Sequence, residues 1–151
     1  MKQKLPEPMQ QAFAEATAAA TRGEVPVGAV VVNAKGEILA KAGNRTLQDK
    51  DPTAHAELLA IRAAAQALGS ERLMDCDLYV TLEPCAMCAA AISFARIRRV
   101  YFAAGDEKMG AIEHGTRFFN QATCHHAPEV YGGIGETQAR ELLTEFFRAR
   151  R

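Results

Sequence analysis

Short strand-type runs alternate with helical segments along this chain, and that alternation restricts its fold more than any other feature. β-branched and apolar residues fill the strand-type runs, which lie at 27–33, 77–82 and 98–104. A turn at 34–37 follows the first run and predicts a hairpin. Helical segments separate the later runs, which places strands in one sheet with helices on its faces. The pattern predicts a three-layer α/β/α domain with a mixed central sheet covered by helices on both faces.

Residues at the ends of the helical segments predict where the first two helices begin and stop. The first helix follows Pro8 and ends near Gly23. In the second, Asp51 is predicted as the N-cap with Pro52 in the first turn, and Gly69 ends the helix. One apolar face is predicted for this second helix, formed by Leu58, Ile61, Ala65 and Leu68.

The second half of the chain is less regular than the first. A third helix is predicted from Cys85 to about Arg96, with Ala89 and Ile92 buried. The segment 105–133 is predicted to combine loop with a short helix and a strand. The segment 135–151 is predicted as a closing helix whose apolar residues are Leu142, Leu143, Phe146 and Phe147.

Size and composition indicate one globular domain that spans residues 1–151. The chain has 18 basic and 18 acidic residues, so its net charge points to neither nucleic acid nor membrane. No apolar run approaches the roughly 18 residues of a membrane span. The basic start lacks the apolar segment of a signal peptide, so we expect a cytoplasmic protein without membrane partners. In that compartment the 4 cysteines are expected to be thiols or metal ligands.

A Cys-x-x-Cys pair at the start of the third helix carries the first chemical signal. Cys85 and Cys88 lie three residues apart, so their side chains share one helix face. The free N–H groups and the dipole of a first turn favour the thiolate form. Such a pair alone fits structural zinc, redox chemistry or chance. A structural site normally has four ligands, often from two such pairs, and only one pair is present here.

His55 and Glu57 lie two residues apart, which is an unusual spacing for two ligands on a helix. Residues two apart point roughly 200° away from each other on an ideal helix. His55 is the expected third metal ligand. Glu57 cannot share the metal as a second ligand on the same helix face would, so it is expected to approach a metal-bound water from another side and move protons. Two thiolates and one imidazole suit Zn²⁺, and three protein ligands leave a fourth position open for water. We expect one zinc ion per chain, at a catalytic site.

The combination of "HAE" with "PCAMC" resembles the zinc-dependent cytidine-deaminase-like superfamily. Further stretches resemble the bacterial tRNA-specific adenosine deaminases: "EVPVGAVVV", "GNRT", "DPTAHAE", "LYVTLEPCAMC", "ARIRRVYFAAGDEKMGA" and "LLTEFFRARR". The resemblance is dense from Glu24 to Ala111 and thins between Ile112 and Gly135. It implies hydrolytic deamination of adenosine to inosine at the wobble position of a tRNA anticodon, by a homodimer.

The same resemblance implies roles for several residues around the reacting base. Glu57 would transfer protons to the adenine ring and to the departing ammonia. Asn44 would hydrogen-bond the base, and Val25 and Pro26 would form a wall of the pocket. The loop residues Asp106 and Lys108 would lie near the bound RNA, and Phe147 with the arginines beside it would contact flanking nucleotides of the anticodon loop.

Some residues suggest other functions or other roles. Cys124, His125 and His126 are consecutive and poorly placed to share a metal, so we expect a loop at the mouth of the site. The arginines at 96–99 are expected to cap carbonyls, line a dimer interface or contact phosphates. Terminal arginines are the best candidates for RNA phosphate contacts, namely Arg148, Arg150 and Arg151.

Two rival functions remain open at this point. The first is a free nucleobase or nucleoside deaminase of the guanine or cytosine type, which the zero net charge favours. The second is a non-catalytic zinc-binding RNA module, against which Glu57 argues because a structural site needs no carboxylate beside an open position.

Overall fold

A computed structural model describes residues 4–150 of the chain. Within these described residues, four α-helices and five β-strands succeed one another, with a 3-10 helix at Phe118–Asn120. Their order is α1 (Glu7–Thr21), β1 (Gly28–Val32), β2 (Ile38–Gly43), α2 (Ala56–Leu68), β3 (Asp77–Leu82), α3 (Ala86–Ala95), β4 (Arg99–Ala104), β5 (Glu129–Tyr131) and α4 (Glu136–Arg148). The predicted hairpin, the alternation after it and the mixed segment 105–133 are confirmed.

One mixed sheet forms the middle layer of the molecule. The strand order is β2-β1-β3-β4-β5, so the apolar run of β3 lies at the centre. β1 pairs antiparallel with both β2 and β3, whereas β3, β4 and β5 run parallel. Because β1 is antiparallel to β3, the start of β1 lies beside the end of β3, where the Gly28 amide donates to Thr81 Oγ1 at 3.1 Å.

Helices cover both faces of the sheet, which confirms the predicted three-layer architecture. One face packs against α2 and α3 through a core that includes Ile61, Ile92 and Phe102. The other face packs against α1 and α4 through a core that includes Met9 and Phe13. Gly28 is needed where α1 crosses β1, because a Cβ at this position would overlap the backbone carbonyl of Ala12.

The start of α2 differs from the sequence prediction. His55 is the N-cap and Ala56 the first helical residue, so the prediction of Asp51 as N-cap is wrong. The Asp51 carboxylate instead accepts hydrogen bonds from the amide and hydroxyl of Thr53, which closes a local turn before the helix. The polar side chain that resembled a cap thus stabilises the loop that leads to His55.

The buried face of α2 also differs from the predicted one. Its buried residues are Ala56, Glu57, Ala60, Ile61 and Ala64. Of the predicted face only Ile61 is buried, while Leu68 is 45% exposed. Close packing of the helix on the sheet selects the alanine stripe, which carries Glu57 into the interior. The predicted end is confirmed, because Gly69 adopts the left-handed conformation with φ 71°.

The helices that follow β3 and β5 lie where the sequence predicts them. Cys85 is the N-cap of α3, and Ala89 and Ile92 are buried as predicted. In α4, Phe146 is buried while Phe147 is 47% exposed, so the two phenylalanines face different environments. Among residues 4–150, no helix has the length and apolar character needed to cross a membrane.

Candidate active site

His55, Cys85 and Cys88 converge at the first turns of two neighbouring helices. His55 immediately precedes α2 and Cys85 immediately precedes α3, while Cys88 lies one turn into α3. The Nδ1 atom of His55 is 3.6 Å from the sulfur of Cys85 and 3.7 Å from that of Cys88. All three ligand atoms lie within 4.8 Å of one another, an arrangement that can hold a metal ion.

The spacing of these atoms fits zinc. A tetrahedral zinc ion, about 2.3 Å from sulfur and about 2.1 Å from nitrogen, separates a sulfur and a nitrogen ligand by about 3.6 Å. That separation agrees with the two nitrogen–sulfur distances of the site. Two sulfurs and one nitrogen are also the ligand types that zinc prefers. The residues present therefore fit a zinc ion with three protein ligands.

The protonation of the two thiols differs strongly. The hydrogen bond from Cys88 holds the pKa of Cys85 at about 4, with a further contribution from His55. The pKa of Cys88 is raised, because this thiol donates that hydrogen bond and is buried. The hydrogen bond to Cys85 also raises the pKa of His55. Cys85 is thus already a thiolate at neutral pH, whereas Cys88 must release a proton when a metal binds.

Glu57 lies beside the three converging residues without belonging to their group. Its side chain is buried, with the residue only 4% exposed. Burial raises the pKa of Glu57 to about 7. A carboxyl group that titrates near neutral pH can both accept and donate protons. The structure thus groups His55, Cys85 and Cys88 as residues that can hold a metal and leaves Glu57 outside that group.

A cavity of about 250 Å³ opens over these side chains. It lies where β3 and β4 end and β1 begins. The lining residues are Val25, Val27, Asn44, Thr46, His55, Glu57, Leu82, Glu83, Cys85, Asp106 and Met109. The structure therefore brings Val25, Asn44 and Asp106 to the cavity, in agreement with the sequence analysis.

Several lining residues were not found from the sequence. Val27, Thr46, Leu82, Glu83 and Met109 line the cavity but were not predicted as site residues. Their only signal is position, because each lies inside one of the stretches that carry the resemblance. Sequence reasoning had no means of telling which of these neighbours turn toward the cavity.

Asn44 is held firmly at the cavity wall. Its side-chain oxygen accepts a hydrogen bond of 2.8 Å from the amide of Ala56, at the start of α2. Its backbone is fixed as well, because its carbonyl accepts from Arg22 Nη2 at 3.0 Å and its amide donates to the carbonyl of Val27 at 3.1 Å. The side-chain NH₂ group of Asn44 can therefore donate a hydrogen bond to a ligand in the cavity.

Three predicted substrate contacts lie outside the cavity lining. Pro26 is buried between two lining residues, Val25 and Val27. Lys108 is exposed on the loop that contains Asp106, where the Asp106 carboxylate accepts a hydrogen bond from the Lys108 amide. Phe147 is exposed on α4. Lys108 and Phe147 are thus surface residues, accessible to a ligand larger than the cavity.

The segment with Cys124, His125 and His126 does not line the cavity. Ser93 Oγ of α3 donates to the carbonyl of His126 at 2.7 Å, and His126 Nε2 lies 2.7 Å from the carbonyl of Ile97. The predicted location of this loop at the mouth of the site is therefore wrong. Because α3 begins at the site, the segment packs against the far end of that helix.

Most of the arginines outside the cavity have identified partners. Arg98 donates two hydrogen bonds of 3.0 Å to Asp77, and Arg99 donates one to Glu129. These two arginines thus form ion pairs at the opposite end of β3 from the cavity. The guanidinium of Arg150 stacks over the ring of Phe146 at 3.6 Å. Arg148 is exposed, and Arg151 lies outside the described residues.

Comparisons with known proteins agree with this geometry. Residues 2–104 match the family described as cytidine and deoxycytidylate deaminase zinc-binding region. A tRNA-specific adenosine deaminase of Agrobacterium fabrum is 59% identical over 95% of this chain and 93% of its own length.

Two solved structures are also similar to this chain. One comes from work on A-to-I editing by tRNA:A34 deaminases at the wobble position of transfer RNA. Its sequence is 59% identical to this chain, and the two structures superpose with a TM-score of 0.88. The match covers 90% of this chain and 98% of the other chain. The other is a guanine deaminase of Bacillus subtilis, 42% identical over 65% of this chain and 62% of that one, with a TM-score of 0.63.

The family match covers His55, Glu57, Cys85 and Cys88, so the expected superfamily and the zinc cofactor are confirmed. The chain therefore belongs to the family that is defined by the cytidine and deoxycytidylate deaminase zinc-binding region.

Proposed function

We propose that this chain is a hydrolytic deaminase that converts adenosine to inosine at the wobble position of a tRNA anticodon. The observation that carries the proposal is the convergence of His55, Cys85 and Cys88 beside the buried Glu57 in one cavity. The substrate is supported by the relative from Agrobacterium fabrum, to which 95% of this chain aligns. In this proposal residues 1–151 form one deaminase domain.

Three residues of the chain would hold the zinc ion: His55, Cys85 and Cys88. A bound zinc ion supplies the nucleophile for hydrolysis by lowering the pKa of water toward neutrality. Cys85 contributes a thiolate before any metal binds, because its pKa lies at about 4. His55 presents Nδ1 to both sulfurs, so its ring lies in the orientation that ligation requires.

Glu57 would move protons between water and the base. It accepts a proton from the attacking water and delivers it to N1 of adenine. It then takes the proton of the hydroxyl group formed at C6 and passes it to the departing amine, which leaves as ammonia. The net change breaks the C6–nitrogen bond, forms a C6–oxygen bond and releases ammonia. Burial keeps the pKa of Glu57 at about 7, so neither direction of proton transfer is strongly uphill at neutral pH.

The cavity would hold a single base. Its volume of about 250 Å³ is below the 300–1,000 Å³ typical of sites for drug-sized ligands. The adenine would therefore leave the anticodon stack and enter alone, with the ribose and phosphates outside. The Asn44 amide would donate a hydrogen bond to the base, and Val25, with Pro26 behind it, would form an apolar wall.

The RNA outside the cavity would meet exposed side chains around the opening. Asp106 lies at the cavity wall, and Lys108 is exposed on the same loop. Phe147 on α4 offers an exposed ring on which a flanking base can stack. Arg148 and Arg150 would contact phosphates of the anticodon loop. We also place this activity in the cytoplasm.

We infer that two copies of the chain form a homodimer. Phe94 on α3 is 78% exposed, and Met74 in the loop before β3 is 59% exposed. Large apolar side chains with this exposure favour burial against another surface. Phe94 lies in the last turn of α3, so a partner copy on this surface would lie at the end of that helix away from the site.

A free-base deaminase of the guanine type is the second candidate. It is favoured by the 42% identity with the guanine deaminase of Bacillus subtilis. That match spans 65% of the chain, whereas the match with the tRNA:A34 deaminase structure spans 90% at 59% identity. The tRNA substrate therefore has the stronger support.

One assay separates the two candidates. The zinc-loaded protein is incubated with an anticodon stem-loop that carries adenosine at the wobble position, and separately with free guanine, cytosine and adenosine. We expect inosine in the stem-loop and release of ammonia. A stem-loop with guanosine at that position is the control and should remain unchanged. Rapid release of ammonia from free guanine, with no inosine in the stem-loop, would contradict the proposal and favour the second candidate.

A further inference from the structure

The carboxylate of Glu83 has no part in the deamination steps above, yet it lies beside the site. Glu83 follows β3 directly and precedes Cys85 by two residues. Its side chain has no solvent exposure, and the residue borders the cavity. A buried carboxylate without hydrogen-bond donors would be strongly unfavourable, so its partners determine what it does.

Five N–H groups converge on this carboxylate, all from residues 106–114. Oε1 accepts from the Asp106 amide at 3.0 Å and lies 2.7 Å from His114 Nδ1. Oε2 accepts from the amides of Ile112, Glu113 and His114 at 3.0, 2.9 and 3.2 Å. A carboxylate has about four lone-pair sites, so both oxygens are saturated. Glu83 therefore has no acceptor capacity left for a substrate.

The segment that supplies these donors forms one wall of the cavity. Asp106 and Met109 both line the cavity. The carboxylate of Asp106 accepts from the amide of Met109 at 3.1 Å, which closes a tight turn between the two. The segment is also fastened beside the metal-ligating residues, because Gly110 pairs with Cys85 and the Ala111 amide donates to the carbonyl of Pro84 at 3.0 Å.

The contact between Glu83 and this segment is close. A Cβ at Gly110 would lie 2.5 Å from the carboxyl carbon of Glu83, a distance that real Cβ atoms essentially never show. Only glycine at this position lets the backbone pass so near the carboxylate. The imidazole of His114 closes the arrangement from the solvent side, since its side chain is 35% exposed.

We propose that Glu83 is a positioning residue, which fixes residues 105–114 against the metal-ligating segment at Pro84 and Cys85. Asp106 and Met109 thereby form the substrate-facing wall of the cavity, and His114 keeps the Glu83 carboxylate in place. Glu83 acts through that wall and not on the reacting atoms. The kinetic part of this inference rests on the proposed function, whereas the structural part does not.

Two variants and a matched control test the proposal. Glu83→Gln keeps the shape of the side chain but replaces one acceptor oxygen by an NH₂ group that faces N–H donors. His114→Ala removes one of the five donors and leaves the four backbone bonds intact. Asp77→Asn is the control, because Asp77 is also a buried carboxylate of β3 but pairs with Arg98 at the opposite end of the strand.

Hydrogen exchange of the zinc-loaded proteins gives a reading that needs no substrate. We expect the amides of residues 105–114 to exchange faster in Glu83→Gln, and to a smaller degree in His114→Ala. Asp77→Asn should leave exchange in this segment unchanged, and all three proteins should keep one zinc per chain. Wild-type exchange over residues 105–114 in both test variants would overturn the proposal, as would loss of zinc from Glu83→Gln.

Kinetics with the stem-loop gives the second reading. We expect the KM of Glu83→Gln to rise about tenfold or more while kcat falls less, because the wall contributes contacts made in both ground and transition states. His114→Ala should raise KM several-fold, and Asp77→Asn should not change it. A loss confined to kcat would overturn the proposal. If even the wild-type protein makes no inosine, the proposed function fails, and the exchange result still decides the role of Glu83.

Discussion

His55 and Cys85, which are 30 residues apart in sequence, occupy the same position in their helices, and the Nδ1 atom of one lies 3.6 Å from the sulfur of the other. Each residue has extended backbone angles and immediately precedes a first turn. Both side chains therefore extend from helix starts that meet beside β3. The site depends on how these two helices pack as much as on the ligands themselves.

The first prediction concerns the metal. Cys88→Ala should lose most of the bound zinc and all deaminase activity, because two protein ligands remain where three are needed. Zinc per chain is measured by elemental analysis after dialysis. Cys76→Ala is the control, since Cys76 is also buried but lies outside the group of ligands, and it should keep its zinc. One zinc per chain in Cys88→Ala would contradict the ligand assignment.

The second prediction separates the proton carrier from the metal ligands. Glu57→Ala should keep one zinc per chain and the wild-type fold, yet turnover should fall by about 10²–10⁴, the usual contribution of general acid–base catalysis. Single-turnover kinetics and zinc content are measured on the same sample. If zinc is lost together with activity, Glu57 is a ligand and the assignment of roles is wrong.

The third prediction concerns the RNA contacts of the C-terminal segment. Neutralising Arg148, Arg150 and Arg151 together should weaken stem-loop binding and reduce its dependence on salt. Each lost phosphate contact lowers the slope of log K against log salt by roughly 0.7–0.9. Arg140→Gln is the control, because Arg140 lies on the same helix but pairs with Glu136. An unchanged salt slope in the triple variant would exclude phosphate contacts by these arginines.

The fourth prediction concerns pH and stability. The hydrogen bond with Glu83 raises the pKa of His114 above its usual value of 6.5. A raised pKa in the folded state means that His114 contributes stability fully below pH 6.5 and loses that contribution as pH rises through its folded pKa. The urea midpoints of wild type and His114→Ala should therefore differ most at about pH 6 and converge at about pH 9.

A control for this pH effect is available on another loop. His125 is an exposed histidine, and His125→Ala should show the same pH dependence as the wild-type protein. A difference between wild type and His114→Ala that grows with rising pH would contradict the predicted sign.

Much of the fold could be predicted from the sequence because the signals involved are local. The strand runs, the hairpin turn and the left-handed glycine at the end of α2 depend on neighbouring residues. The metal site could be predicted for a related reason: few residue types bind zinc, and their spacing identifies which of them share a helix turn. The start of α2 could not be predicted in this way, because the Asp51 carboxylate accepts a hydrogen bond from Thr53 and His55 is the N-cap instead.

By itself, the sequence determined the order of helices and strands and the three candidate ligands, since these follow from residue type and spacing. The spacing argument for Glu57 assumed one ideal helix through both residues, whereas His55 is the N-cap of α2 with extended backbone angles. The tertiary structure alone decided that the alanine stripe of α2 faces the sheet, which buries Glu57 and raises its pKa to about 7. It also decided that Glu83 gathers five N–H groups from residues 23 to 31 positions away. Burial and long-range hydrogen bonds depend on which helices, strands and loops pack against one another. The spacing of residues within one segment does not specify that packing.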